Sequence, residues 1–277
     1  MRFVFQPTEV RDWADLSQDF NPIHFDQAVA RRMGLDGVVV HGMLPLMHIK
    51  RQLGRQLDPH ATALWRTIRC KFRQPVAEGR GHQLEVKARP SAFRFSLKRE
   101  SDGAETIGGS ALEAAVDDGS TPASACFDIA PAVLREKAAT FHSAFPEFDR
   151  AWLLLDAIVF SQFLSHRIPY ALVRQVPGFD DAMDQCDLMH RVLTVQTSHT
   201  VSVAPSLWQQ PIESFDPARR VECRVLPPVT ASGGDKSLAG TCQINVFLDG
   251  EFVMQSEVGV FLRFDPFHHS SRGNHEQ

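Results

Sequence analysis

Apolar positions along this chain follow two periods in turn, and each switch between them marks a change of element. Val10, Trp13, Ala14 and Leu16 recur at helical spacing. Thr8 is the expected N-cap, with Glu9 in the first turn where the helix dipole favours negative charge. This helix should stop near Asp19, because a residue before proline disfavours helical backbone and Asn21-Pro22 follows. A short helix is expected over about Asp26 to Met33, ended by Gly34. A core helix is expected from Gly42 onward, with Leu46, Met47, Ile49 and Leu53 inside and Pro45 tolerated near its first turn.

The period then shortens to two. Ile68, Cys70 and Phe72 alternate with Arg69, Lys71 and Arg73, which predicts a strand over Thr67 to Arg73 with one face buried and one wet. Gln83 to Arg89, Ala92 to Arg99 and Thr106 to Ala115 also read as strands. Asp117-Asp118-Gly119-Ser120-Thr121-Pro122 reads as a linker. The order then repeats. A long apolar helix fits about Glu147 to Ser165, and strands fit Val192 to Val203, Arg219 to Val225, Leu238 to Leu248 and Phe252 to Phe264. Asp249-Gly250 between the last two is a hairpin signal. Helices followed by strands, twice, predict a layered α+β protein of two tandem units, with a polar disordered tail over 270–277.

Composition narrows the functional classes. The 277 residues are 43% hydrophobic and 22% charged with a net charge of −4, which suits a globular chain and lacks the basic stripe of a nucleic-acid binder. The longest apolar-rich run, Ala151 to Leu164, is shorter than the roughly 20 residues that cross a bilayer. The opening residues lack a long apolar stretch, so no secretory signal is expected. The five cysteines (Cys70, Cys126, Cys186, Cys223, Cys242) form no CxxC pair, and reduced buried thiols in a cytoplasmic protein are expected.

One segment carries chemistry: Asp19-Phe20-Asn21-Pro22-Ile23-His24-Phe25-Asp26. On a continuous helix the five-residue separation would splay Asp19 and His24 about 140° apart, but a proline-forced turn can return them to one site. A carboxylate and an imidazole together can hold, orient and deprotonate one water near neutral pH. Asn21 can instead make an Asx-turn that only caps the loop. Downstream, His41-Gly42-Met43 opens the core helix, where a free Gly42 N–H would carry the positive end of the dipole. Such a donor stabilises negative charge on a carbonyl oxygen. His41 fits a structural bond to that loop, and Met43 and Met47 fit core filling. His48 reads as satisfied or exposed, Arg69, Lys71 and Arg73 as a solvated strand face rather than a contact for CoA phosphates or an acidic carrier protein, and no histidine–carboxylate set has metal-ligand spacing.

Asp19-x-Asn21-Pro22-Ile23-His24-x-Asp26, followed 18 residues after His24 by Gly42 within Val40-His41-Gly42-Met43-Leu44, resembles the signature of the MaoC-like, (R)-specific enoyl-CoA hydratase family. Phe72-Arg73-Gln74-Pro75-Val76 is similar to the strand end that follows the central helix in that family. The resemblance covers about residues 1 to 116 and implies a hot-dog fold, an antiparallel sheet wrapped around a helix. It implies Asp19 and His24 as the catalytic pair and the Gly42 N–H facing a thioester carbonyl. Asn21 supports the loop, and Asn21, His41 and Met43 are expected to line the substrate site. The implied activity is a hydro-lyase acting on a 2-enoyl or 3-hydroxyacyl thioester of CoA, or of acyl-carrier protein, with no metal or redox cofactor. A catalytically silent acyl-binding subunit is the non-enzyme alternative.

The chain departs from the family pattern at Pro45, at the loop Ala77-Glu78-Gly79-Arg80, and at Lys50, where a small residue lining the acyl pocket is expected. The second half lacks the motif, and Asp265-Pro266-Phe267-His268-His269 has the wrong spacing. The expectation is therefore a double hot dog: an N-terminal unit at 1–120 with the motif, and a degenerate unit at 126–269 that supplies the partner usually found in a dimer. A further homodimer is compatible with this.

Overall fold

The computed structural model describes residues 1–57, 63–90, 92–117, 120–172, 192–232 and 237–264. Cys186, Asp118-Gly119 of the expected linker, the Asp265–His269 segment and the tail lie outside the described residues.

The N-terminal half runs β1 (Arg2–Val4), α1 (Pro7–Ser17), α2 (Gln27–Arg32), α3 (Met43–Leu57), β2 (Trp65–Phe72), β3 (Gly81–Arg89), β4 (Ala92–Arg99) and β5 (Glu105–Ala114). The second half runs β6 (Ala125–Ile129), α4 (Pro131–Ala144), α5 (Ala151–Ser165), β7 (Val192–Val203), then β8 (Val221–Val225), β9 (Val229–Ser232), β10 (Ser237–Leu248) and β11 (Glu251–Phe264). The strands make one antiparallel sheet in the order β1-β3-β4-β5-β2-β7-β11-β10-β8-β6, with β9 on β10.

The halves join where β2 pairs with β7, Ile68 opposite Val201 and Cys70 opposite His199. Both central helices, α3 and α5, pack on the same core. Helix α5 is largely apolar and enclosed, with Ala151 to Leu164 buried except Gln162, and α1, α3 and α4 pack against it. Helix α1 crosses to the second half, where Trp13 meets Phe145 with ring centroids 6.0 Å apart. The architecture is an α+β double hot dog whose partner unit lies within the same chain.

Several boundaries differ from expectation. Thr8 lies inside α1, which starts at Pro7; Gln6 precedes the helix, and its N–H donates to Glu9 Oε2 at 2.8 Å. Proline at the first helical position, with its φ already helical, moves the start forward. The stretch expected as one helix from Glu147 begins at Ala151 and is preceded by α4, whose weakly amphipathic sequence leaves only Leu134, Lys137 and Phe141 buried. Strands β1, β6 and β9 are too short for alternation to reveal. The Asp249-Gly250 hairpin forms, with both residues at positive φ, 51° and 88°.

Candidate active site

Helix α1 ends in a left-handed Gln18 (φ 61°) whose N–H returns to the Ala14 carbonyl. The chain then turns on short polar bonds. The Asn21 N–H donates to Asp19 Oδ1 (3.3 Å), and the Ile23 N–H to Asn21 Oδ1 (3.3 Å). The second bond opens a 3-10 turn over Pro22–His24, with Pro22 at its first position. This turn brings His24 back beside Asp19, Nε2 to Oδ2 at 3.9 Å. Asn21 therefore makes the Asx-turn and lines the site at once.

The tautomer of His24 follows from its other nitrogen. Nδ1–H donates to the Val39 carbonyl at 2.7 Å, which leaves the Nε2 lone pair facing Asp19. Burial holds this imidazole below its ordinary pKa of 6.5, against the opposing charge of Asp19 and the Val39 bond. Neutral His24 is thus the resting form at pH 7. The 3.9 Å gap is too long for a direct bond, but a water about 2.8 Å from each atom would subtend about 90° there.

His41 stacks on His24 with ring centroids 3.7 Å apart and planes 29° apart. Its Nε2–H donates to the Asp19 backbone carbonyl at 2.8 Å, tying the start of α3 to the Asp19 turn. Burial and the neighbouring His24 push its pKa down to about 3, so it stays neutral. Asp19, His24 and His41 offer ligand atoms within 4.8 Å of one another, a grouping that sequence spacing did not reveal. The stacking works against an ion. Lone pairs lie in the ring planes, and two nearly parallel planes do not converge on one point about 2.0–2.1 Å from both nitrogens.

Gly42 immediately precedes α3, and no backbone carbonyl among the described residues accepts its N–H. A Cβ there would lie 3.0 Å from the Phe72 ring and 3.1 Å from Gln196 Oε1, so the close approach of both requires glycine. Asp19, Asn21, His24, His41, Gly42 and Met43 all line one cavity of about 230 Å³. Met43 is fully buried and forms part of its apolar wall. Lys50 is not in the cavity; it is buried against Asp156 of α5. His48 is only partly satisfied: it sits among Phe3, Phe5 and Phe148 with Nδ1 3.8 Å from Glu147 Oε1, its Nε2 has no hydrogen-bond partner among the described residues, and burial pushes its pKa down to about 4.

The second half closes the cavity with Phe160 and Phe163 of α5, Tyr170, Thr194 and Gln196. Tyr170 is the only tyrosine in the chain. Burial raises its hydroxyl to about 12, and the charge of Asp19 adds to the shift. No motif in the sequence marks these residues. The lone tyrosine was the available signal.

The wrapped sheet defines the class. A Mycobacterium tuberculosis protein described as having a double hot-dog fold is similar with a TM-score of 0.52 over 95% of this chain and 94% of that one, at 8% identity, a likeness of fold alone. Within that fold, residues 3–100 match the MaoC like domain family. The (R)-specific enoyl-CoA hydratase of Aeromonas caviae is 36% identical over 83 residues, 30% of this chain and 61% of that protein. The mitochondrial 3-hydroxyacyl-[acyl-carrier-protein] dehydratase of Arabidopsis thaliana is 34% identical over 77 residues, 27% of this chain and 44% of that protein. The chain thus spans about half the length of the curated relatives it matches. No helix among the described residues is long and apolar enough to cross a membrane.

Proposed function

We propose that the protein is a hydro-lyase that adds water to a 2-enoyl thioester of CoA, or removes it from the (R)-3-hydroxyacyl thioester. The observation that carries this reading is the placement of Asp19 and neutral His24, 3.9 Å apart, on the same apolar cavity as the unpaired Gly42 N–H. The activities named for the two curated relatives support the same chemistry.

In the hydration direction, water is held between Asp19 Oδ2 and His24 Nε2. Its oxygen attacks C3 as the pair takes one of its protons, and the electron pair of the C2–C3 double bond moves toward the thioester carbonyl. The developing enolate oxygen accepts from the Gly42 N–H at the head of α3, where the dipole favours negative charge. The pair returns a proton to C2, so one water is added and the enzyme is restored. Dehydration is the reverse. Every group in this scheme is a side chain or amide of this chain.

Hydration of crotonyl-CoA by the wild type, Asp19→Asn and His24→Ala tests the reading. Loss of one general acid–base group should cost roughly 10²- to 10⁴-fold in kcat. Equal rates in all three proteins would remove the pair from the mechanism. Tight binding of crotonyl-CoA with no turnover in the wild type would favour a silent acyl-binding subunit, and faster turnover of the carrier-protein thioester would make that carrier the substrate.

A further inference from the structure

The second half has no catalytic motif, yet one of its strands places an amide directly against Gly42. Strand β7 runs beside β11 with Val258 opposite His199 and Gly259 opposite Ser198, but the next pair is Val260 with Gln196. Thr197 is the extra residue of a β-bulge. The bulge reverses the parity of the strand. Before it, Val203, Val201 and His199 face the core; with unbroken alternation Thr197 would follow them inward and Gln196 would face solvent. Instead Thr197 and Val195 are exposed, Gln196 is half-buried and Val192 is fully buried, with residues 194–197 all bordering the cavity. Gly259 makes room for the bulge, since a Cβ there would lie 2.2 Å from Ser198 Oγ.

The inward amide is left wanting a partner. Gln196 Nε2 is shielded from solvent and has no hydrogen-bond acceptor among the described residues. A shielded, unpaired donor of this kind is destabilising until a ligand supplies the acceptor. It is not stranded in a random place: Gln196 Oε1 lies 3.1 Å from the point where a Cβ would stand on Gly42, and both residues line the same cavity. The amide oxygen and nitrogen can exchange by a flip about the last side-chain torsion, and either setting leaves the group against Gly42.

We propose that Gln196 is a second donor to the thioester oxygen, completing with the Gly42 N–H a two-donor oxyanion site that spans both halves of the chain. The assignment rests on the hydro-lyase reading for its substrate. An sp² oxygen offers two lone pairs, one for each donor, and both bonds strengthen as the oxygen gains enolate charge. The degenerate second unit would then retain a chemical task as well as a structural one.

The test reads carbonyl polarisation without requiring turnover. The infrared carbonyl band of ¹³C-labelled crotonyl-CoA is measured bound to Asp19→Asn and to Asp19→Asn/Gln196→Met, with Asp19→Asn/Gln196→Glu as a second variant of nearly unchanged shape. The expected result is a band shifted to lower wavenumber in Asp19→Asn, moving back toward the free value in the Gln196→Met protein. The Gln196→Glu protein should recover the shift only at pH values where its carboxyl is protonated and can donate. In the Asp19-intact protein, Gln196→Met should lower kcat by about 10²- to 10³-fold with a much smaller change in KM. The same band in Asp19→Asn with and without Gln196 would overturn the proposal. A Gln196-dependent band in a protein whose wild type hydrates no crotonyl-CoA would sustain the donor and discard the hydro-lyase reading.

Discussion

Lys50 on α3 is ion-paired with Asp156 on α5, and neither side chain has any exposed surface. The pair lies between the two central helices, one residue from each half. Lys50 Nζ also donates to His199 Nδ1 at 3.2 Å, and His199 Nε2–H in turn donates to Ser256 Oγ at 3.2 Å. Burial and the Lys50 charge hold His199 well below its ordinary pKa, which keeps it neutral and able to accept from the lysine. In a dimer of identical units both helices would carry the same residue here. Opposite charges on the two helices favour pairing of unlike halves within one chain.

This pair predicts a specific pattern of stability. Lys50→Met alone leaves a buried, uncompensated carboxylate and should cost about 3–5 kcal/mol, whereas Lys50→Met/Asp156→Leu should be neutral or stabilising. Urea unfolding of the two variants and the wild type measures both. If the double substitution is as damaging as the single one, the loss comes from packing and the charges are not the cause.

Protonation of His24 should govern the acid limb of activity. Burial lowers its pKa from 6.5, so the base form already dominates at neutral pH and kcat/KM should fall only at pH values below about 6.5. An acid limb centred above pH 7 would assign the base elsewhere. The same burial affects stability through His41, near 3, and His48, near 4. As pH falls through 6.5 the unfolded chain takes up these protons first. The contribution is therefore complete above about pH 6.5 and is lost toward lower pH, at about 1.4 kcal/mol per pH unit for each group. Unfolding midpoints in urea between pH 7 and pH 5 follow this loss.

Gly42→Ala should reduce turnover more than it reduces stability. Its methyl would stand 3.0 Å from Phe72 and 3.1 Å from Gln196, so one of them must give by a few tenths of an ångström. Phe72 is the wall of the cavity and Gln196 the neighbouring donor, and displacement of either disturbs the carbonyl position. A drop in kcat of about tenfold or more with a melting temperature within a few degrees of wild type is the expected outcome; unchanged kinetics would place the carbonyl away from Gly42.

What the sequence made legible follows from which interactions are local. The Asn21-Pro22 break and the Asp249-Gly250 turn are each determined within a few residues, and each stands where the pattern put it. The alternation of Ile68, Cys70 and Phe72 survives because β2 lies in mid-sheet with one face on the core. Gln196 was not legible, because period two counts it outward and only its register against β11 reveals the bulge. Lys50 was misread for a related reason: its partner lies 106 residues away, and nothing near it in sequence announces a buried carboxylate. The grouping of His41 with Asp19 and His24 likewise depends on where α3 docks.

The small cavity predicts a short acyl group. About 230 Å³ falls below the roughly 300–1,000 Å³ common for ligand pockets, and Met43, Phe160 and Phe163 close its apolar walls. A graded series of enoyl-CoA thioesters should show kcat/KM falling beyond four to six carbons, about that length. A rising series would require the walls to move.

The outer face of the sheet predicts how the carrier end of the substrate is held. A second cleft of about 620 Å³ lies there, floored by Gly108, Gly109 and Ser110 and walled by Arg69, Lys71, Lys87 and Arg94. Glu105 and Glu85 are ion-paired with Arg73 and Lys98, Glu257 also lines the cleft, and among the described residues no ion pair joins these four cations to a carboxylate. Arg73 lines both this cleft and the cavity at Asp19 and His24, so a pantetheine arm leaving that cavity would pass it on the way to the four cations. Phosphates lying along exposed cations bind in a salt-dependent way, since such charges are screened over about 10 Å at 0.1 M ionic strength. KM for crotonyl-CoA should therefore rise with salt while kcat holds. Arg69→Glu/Lys71→Glu should raise KM severalfold, flatten its salt dependence, and leave KM for the short crotonyl-pantetheine thioester, which has no phosphate, unchanged. Equal losses on both thioesters would locate the effect in the sheet, and the cleft would then have no part in holding the carrier.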